Sequence, residues 1–177
     1  IDDITSWAWM NDNRLLMGFQ QGIYLHEDFS GENATLVRDF SPYEVGYMNV
    51  SNSGDQVAFT LSSGADAPRY WGTLYVMNTD GTNLRQITKE GSGSVASMSW
   101  SPDDRHIALI DYFEAGATSP YLDIDRCPDV HVVPVDVATP IALREQDPSP
   151  SVRLYHTMKG EAERKEICAK HSLDWRS

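Results

Sequence analysis

The apolar residues of this chain come in short runs, each alternating with or closed off by polar positions. "RLLMGF", "GIYLHE", "QVAFTL", "TLYVMN", "HIALIDYF" and "DVHVVPVD" are all rich in β-branched and aromatic residues and bounded by Gly, Asp, Asn, Ser or Pro. Such runs predict β-strands, because branched and aromatic side chains pack well on a pleated surface and the bounding residues favour turns. Only "GEAERKEICAKH", residues 160–171, has helical character, from its Glu, Lys and Arg content, and its apolar face is thin.

Laid on itself, the chain repeats. Each of three units has a strand, a polar turn and a second strand, then a loop, a third strand, another turn and a short fourth strand. The first turns are Asn11-Asp12-Asn13, Asn52-Ser53-Gly54-Asp55 and Pro102-Asp103-Asp104. The second turns are Phe29-Ser30-Gly31-Glu32, Thr79-Asp80-Gly81-Thr82 and Asp136-Val137-Ala138-Thr139. The anchors Trp9, Val50 and Trp100 stand 41 and 50 residues apart, and such a period with four strands per unit marks a β-propeller blade.

The expected fold is therefore all-β, a partial β-propeller of four-stranded antiparallel blades: about three blades plus the start of a fourth. The blades fall at about 4–40, 45–88 and 95–145, with 172–177 opening the next around Trp175. The interval from Trp100 to Trp175 is too long for one plain blade, so insertions are expected at 114–129 and 146–171. Trp9, Trp100 and Trp175, at equivalent positions, are expected to pack between neighbouring blades. Three blades leave sheet edges and a hub uncovered, so the remaining blades or another copy of the chain are expected to close the ring. The start at Ile1, with neither Met nor a charged-then-apolar leader, reads as excision from a longer chain.

Charge narrows the partners. There are 14 Lys and Arg against 26 Asp and Glu, a net −12, which argues against nucleic acid or an anionic membrane surface and favours a basic peptide, a cation or a basic protein face. Apolar runs such as residues 107–110 are far below the roughly 18 residues that span a bilayer, so no membrane insertion is expected. Cys127 and Cys168 lack zinc-like spacing; they are a disulfide pair or two unrelated thiols.

The run "LYVMNTDGTNLRQIT…MSWSPDDRHIALI", residues 74–110, resembles the repeat of TolB-like β-propellers, the WD40-like or PD40 repeat. Its pattern is a strand, Asp-Gly, a Leu-Thr ending, Trp-Ser-Pro-Asp-Gly and a strand. The preceding unit keeps the frame with Ser-Asn-Ser-Gly-Asp in place of the signature turn. The first keeps Trp9 with a shortened turn, and the third departs after Asp111. The resemblance implies a propeller, commonly of six or more blades, acting as a non-catalytic protein-interaction scaffold with an envelope partner, in the bacterial periplasm or otherwise exported. TolB-like repeats are also similar to the propellers that gate substrate entry in prolyl-oligopeptidase-like serine peptidases, whose hydrolase domain would lie outside this chain. A third class is a ligand- or cation-binding sensory propeller.

Most of the candidate chemistry reads as structure. Asp80-Gly81 and Ser101-Pro102-Asp103-Asp104 are hairpin signals, with Gly at positive φ, Pro pre-setting a turn and Asp accepting backbone amides. No Gly-x-Ser-x-Gly elbow, Gly-x-Gly-x-x-Gly or Walker loop occurs, and the five histidines (His26, His106, His131, His156, His171) mark no triad. Function is expected in the loops that do not repeat. Arg69, Tyr70 and Trp71 have the composition of an interface hot spot. Asp123, Asp125, Asp129 and His131 are the candidate metal ligands, with calcium the ion their oxygens would suit. The EF-hand pattern is broken there, lacking the central Gly and terminal Glu, and a solvated acidic loop is favoured. No catalytic residue and no cofactor is assigned.

Overall fold

The computed structural model describes residues 4–28, 33–63, 72–91, 95–111, 129–143 and 152–154. Among these there are three four-stranded antiparallel sheets and no helix. Blade 1 is β1 (Ile4–Trp9), β2 (Leu15–Phe19), β3 (Gly22–His26) and β4 (Ala34–Asp39), paired in that order. Blade 2 is β5 (Glu44–Val50), β6 (Gln56–Ser62), β7 (Thr73–Asn78) and the two-residue β8 (Arg85–Gln86). Blade 3 is β9 (Val95–Trp100), β10 (His106–Asp111), β11 (Asp129–Pro134) and β12 (Val152–Leu154). The first strands pack on one another, β1 on β5 and β5 on β9, which sets them along the inner edge of the arc.

Register makes the blades equivalent residue by residue. Trp9 pairs with Leu15, Val50 with Val57 and Trp100 with Ile107, so the three anchors hold one position. The residue closing the first turn is in the left-handed region each time: Asn13 (φ 66), Gly54 (φ 83) and Asp104 (φ 56). Asn and Asp are the non-glycine residues that tolerate this conformation best.

Alternation along each strand gives a blade two working faces. One face of blade 2, with Val57, Phe59 and Met77, joins Leu16 and Ile23 of blade 1 in a first core. Its other face, with Ala58, Leu74 and Val76, joins Trp100, Ile107 and Leu109 of blade 3 in a second. The hydrophobic cores are thus the seams between blades, as expected of sheets that cannot bury their faces alone. Small residues allow the close approach: a Cβ on Gly18 would lie 2.6 Å from Ser6 Oγ and 3.0 Å from Val45 Cγ1 across the first seam.

Two expectations need correction. The stretch after Thr139 is not the fourth strand of blade 3, a place taken by β12 on the edge of β11. Ile141 instead bridges to Thr88 at the rim of blade 2, accepting from Lys89 N (2.8 Å) and donating to Ile87 O (2.8 Å). Its apolar pattern is real, since Ile141 and Leu143 are buried, but the surface they bury against lies in the second seam. The anchor tryptophans also differ. Trp100 is 4% exposed and its Nε1 donates to Asn49 O at 3.0 Å, between blades as expected. Trp9 is 54% exposed, because this position packs against the preceding blade and blade 1 has none among the described residues. Trp175 and the helical stretch 160–171 lie outside the described residues.

Candidate functional site

Up-and-down strands sort the connections onto two sides. The turns between first and second strands and between third and fourth strands lie at one end of the blades. The connections between second and third strands leave from the other end, as do the blade-to-blade crossings.

The turn side is occupied by a chain of contacts that joins successive blades. Asn11 Nδ2 donates to Asn52 O across the first seam. Across the second, the Asp104 carboxylate accepts from Asn52 N (2.8 Å), Asn52 Nδ2 (2.7 Å) and Ser53 N (2.8 Å), while Asn52 Nδ2 also reaches Ser101 O (2.8 Å). At the rim Arg38 Nη1 donates to Gly81 O at 2.8 Å. Asp80 and Asp103 behave as the sequence suggests, folding back onto Thr82 N (2.9 Å) and Arg105 N (3.2 Å). The Thr82 hydroxyl and amide hold the Asp80 carboxyl below its ordinary range, and the Ser101 hydroxyl with the Arg105 amide does the same for Asp103.

Asp104 departs from the expectation of pure hairpin punctuation. It stands where the repeat pattern has Gly, and its side chain ties blade 3 to blade 2. Partial burial pushes its pKa up, but the hydrogen bonds from Asn52 and Ser53 together outweigh this and hold it below 3.8. A lowered carboxylate stabilises the fold above its unfolded value of 3.8, and that contribution is lost as pH falls through the folded value. Asp104→Asn turns an NH2 toward amide donors and is expected to cost about 1–2 kcal/mol at neutral pH. Thermal melts from about pH 5 down to pH 2 should then fall less steeply for the variant than for the wild type. Parallel curves would remove Asp104 from the seam.

The loop side differs from blade to blade. Blade 1 turns from β2 to β3 through Gln20 and Gln21 alone, whereas the chain between Ser62 and Thr73 and that between Asp111 and Asp129 is long. Both long connections leave from the same end of adjacent blades. Arg69, Tyr70, Trp71, Asp123, Asp125, Cys127 and Cys168 lie outside the described residues, as does the side chain of Asp129.

At the end of the blades from which these connections leave, the second seam becomes polar. Asp111 and His131 occupy the positions of Leu61 and Tyr75 in blade 2, and both are buried. His131 Nε2 lies 4.0 Å from Asp111 Oδ2. Strand alternation puts the buried Thr60 and Ser62 on the face of blade 2 that meets them, and among the described residues neither hydroxyl has a hydrogen-bond partner. His131 is therefore a residue of the seam paired with Asp111, not a member of an exposed acidic loop. Among the described residues no group of three or more His, Cys, Asp or Glu is placed to hold a metal ion. No described helix is long and apolar enough to cross a membrane. Sequence reasoning missed the Asp111–His131 pair because each sits in a plain apolar run; the signal was a charged or imidazole residue at a position that is apolar or aromatic in the other two units.

Neither a protein-family model nor a curated protein sequence matches the chain. Solved structures do. The chain is similar to one in "Crystal Structure of Mitotic Checkpoint Complex" (TM-score 0.52, 13% identity, 78% of this chain and 37% of that one). It is likewise similar to one in "Crystal structure of Nidogen/Laminin Complex" (0.52, 14%, 74% and 44%) and to "Crystal structure of the tricorn protease" (0.54, 10%, 75% and 14%). These are β-propeller proteins, and the chain is an all-β partial propeller. It spans less than half the length of each.

Proposed function

We propose that this arc is a non-catalytic protein-interaction scaffold that binds through its loop side. The carrying observation is the asymmetry of its two sides: the turn side is engaged in blade-to-blade hydrogen bonds, while the two long, non-repeating connections are rooted side by side opposite it. Rigid sheets holding variable loops suit recognition of another protein. The net charge of −12 favours a basic face on that partner. The TolB-like character of residues 74–110 supports placing it in the cell envelope of an exporting bacterium, and the proposal assigns no cofactor.

The test is cross-linking with mass spectrometry in the producing cell, comparing the wild type with a chain in which Arg69, Tyr70 and Trp71 are alanine. One defined partner, cross-linked at the loops and lost in the variant, is expected. Cross-links confined to the turn side would overturn the reading. A second reading, a gating propeller of a serine peptidase, draws on the same repeat resemblance and on the likeness to the tricorn protease. A Gly-x-Ser-x-Gly elbow followed by Asp and His in the parent reading frame would favour it.

A further inference from the structure

The second seam changes character along its length. Moving away from the turn side, β6 faces blade 3 with Ala58, Thr60 and Ser62 in succession, while β10 faces blade 2 with Ile107, Leu109 and Asp111. On β11 the corresponding step is from Val133 to His131. Strands from both blades therefore turn from apolar to polar at the same end. The first seam does not. There Gly18, Leu61 and Tyr75 hold the positions of Thr60, Asp111 and His131, and the blades approach so closely that a Cβ on Gly18 would lie 3.0 Å from Val45 Cγ1.

The polar groups of the second seam are deeply placed. Thr60 is 1% exposed, Ser62 5%, Asp111 2% and His131 1%. Among the described residues the Thr60 and Ser62 hydroxyls have no hydrogen-bond partner. Each can donate one hydrogen bond and accept two, and protein interiors rarely leave such a group without either a protein partner or water, because its desolvation is then uncompensated. Across the seam stands a carboxylate, with about four lone-pair sites to offer donors. Asp111 Oδ2 is 4.0 Å from His131 Nε2, the distance of an ion-pair contact rather than of a direct hydrogen bond.

We propose that a buried water site is built into the second seam. Water bonds to the Thr60 and Ser62 hydroxyls and donates to the Asp111 carboxylate, joining blade 2 to the Asp111–His131 pair of blade 3. Internal water is held where a polar site offers it two to four partners, and a bridge of this kind is nearly as favourable in enthalpy as a direct hydrogen bond. The donor set suits water rather than a metal ion: among the described residues no group of three or more His, Cys, Asp or Glu is placed to hold one. The contact between blades 2 and 3 is then dry toward the turns and wet where the two long connections leave.

A crystal structure of the protein and a sign test on its stability decide. Density for an ordered water is expected at about 2.5–3.0 Å from a Thr60 or Ser62 hydroxyl and from an Asp111 carboxylate oxygen. Thr60→Val keeps the shape of the side chain and removes the hydroxyl. If water satisfies that hydroxyl, the variant takes a partner from the water, and its urea midpoint should fall at unchanged slope. A dry, unsatisfied hydroxyl gives the opposite sign, because deleting it removes a burial cost. A midpoint that rises or stays in place overturns the proposal. So does density in which these side chains close on protein groups with no water among them, or in which a metal ion takes its place. Should Thr60→Val not fold, Ser62→Ala carries the same sign test, and the wild-type density stands independently of either variant.

Discussion

Phe59→Ala is expected to destabilise the protein by about 3–5 kcal/mol, the usual cost of emptying a buried phenylalanine site. Phe59 is wholly buried on β6, with its ring centroid 5.0 Å from that of Phe40 and 6.2 Å from that of Tyr75. Phe40 lies on the crossing from blade 1 to blade 2, so the cavity would open in the first seam rather than within one sheet. Domains commonly hold only about 5–15 kcal/mol in all, and a loss of this size removes much of the margin. Urea unfolding should show a lower midpoint at unchanged slope. A shift under about 1 kcal/mol would mean the first seam does not carry the fold.

Gly81→Ala should rank close behind, at about 2–5 kcal/mol, made up of left-handed strain of about 1–2 and overpacking of about 1–3. Gly81 has φ +85, and a Cβ there would meet Val37 O at 2.7 Å and Val37 Cγ1 at 3.0 Å, where the outer strand of blade 1 touches the rim turn of blade 2. Gly91 is the internal control. It has φ +71 with nothing within 4 Å of a built Cβ, so Gly91→Ala should show the backbone strain alone, about 1–2 kcal/mol. Equal losses at the two sites in calorimetry would show that the rim contact contributes nothing.

Strand positions and the signature hairpin turns were legible in the sequence because both are local. Alternation fixes where a pleated segment buries a face, and Asp80-Gly81 or Ser101-Pro102-Asp103 carries its own turn chemistry. What was illegible is everything settled between blades. "PIAL" has strand-like apolarity, yet Ile141 pairs at the rim of the neighbouring blade, a choice periodicity cannot make. Asp104 looked like its neighbour Asp103, and only the approach of Asn52 separates their roles. Trp9 and Trp100 hold the same repeat position and have opposite exposure, because Trp100 packs on blade 2 and, among the described residues, no blade packs on Trp9 in that way. Of the candidate site, the sequence picked out the two loops that do not repeat, and the topology adds that they share one end of the sheets. The buried Asp111–His131 pair was hidden within ordinary strands.

The pairing of Ile141 with Thr88 also decides what counts as a unit in this molecule. The connection from the third to the fourth strand of blade 3 is hydrogen-bonded to the rim of blade 2 on both sides of Thr88, so blades 2 and 3 are laced together beyond their shared core, as blades 1 and 2 are by Val45 N on Gln20 O (2.9 Å) and Arg38 Nη1 on Gly81 O (2.8 Å). Dividing the sequence at blade boundaries would cut through that lacing. The part that can be grafted, deleted or exchanged is therefore the laced arc of three blades, not any single one.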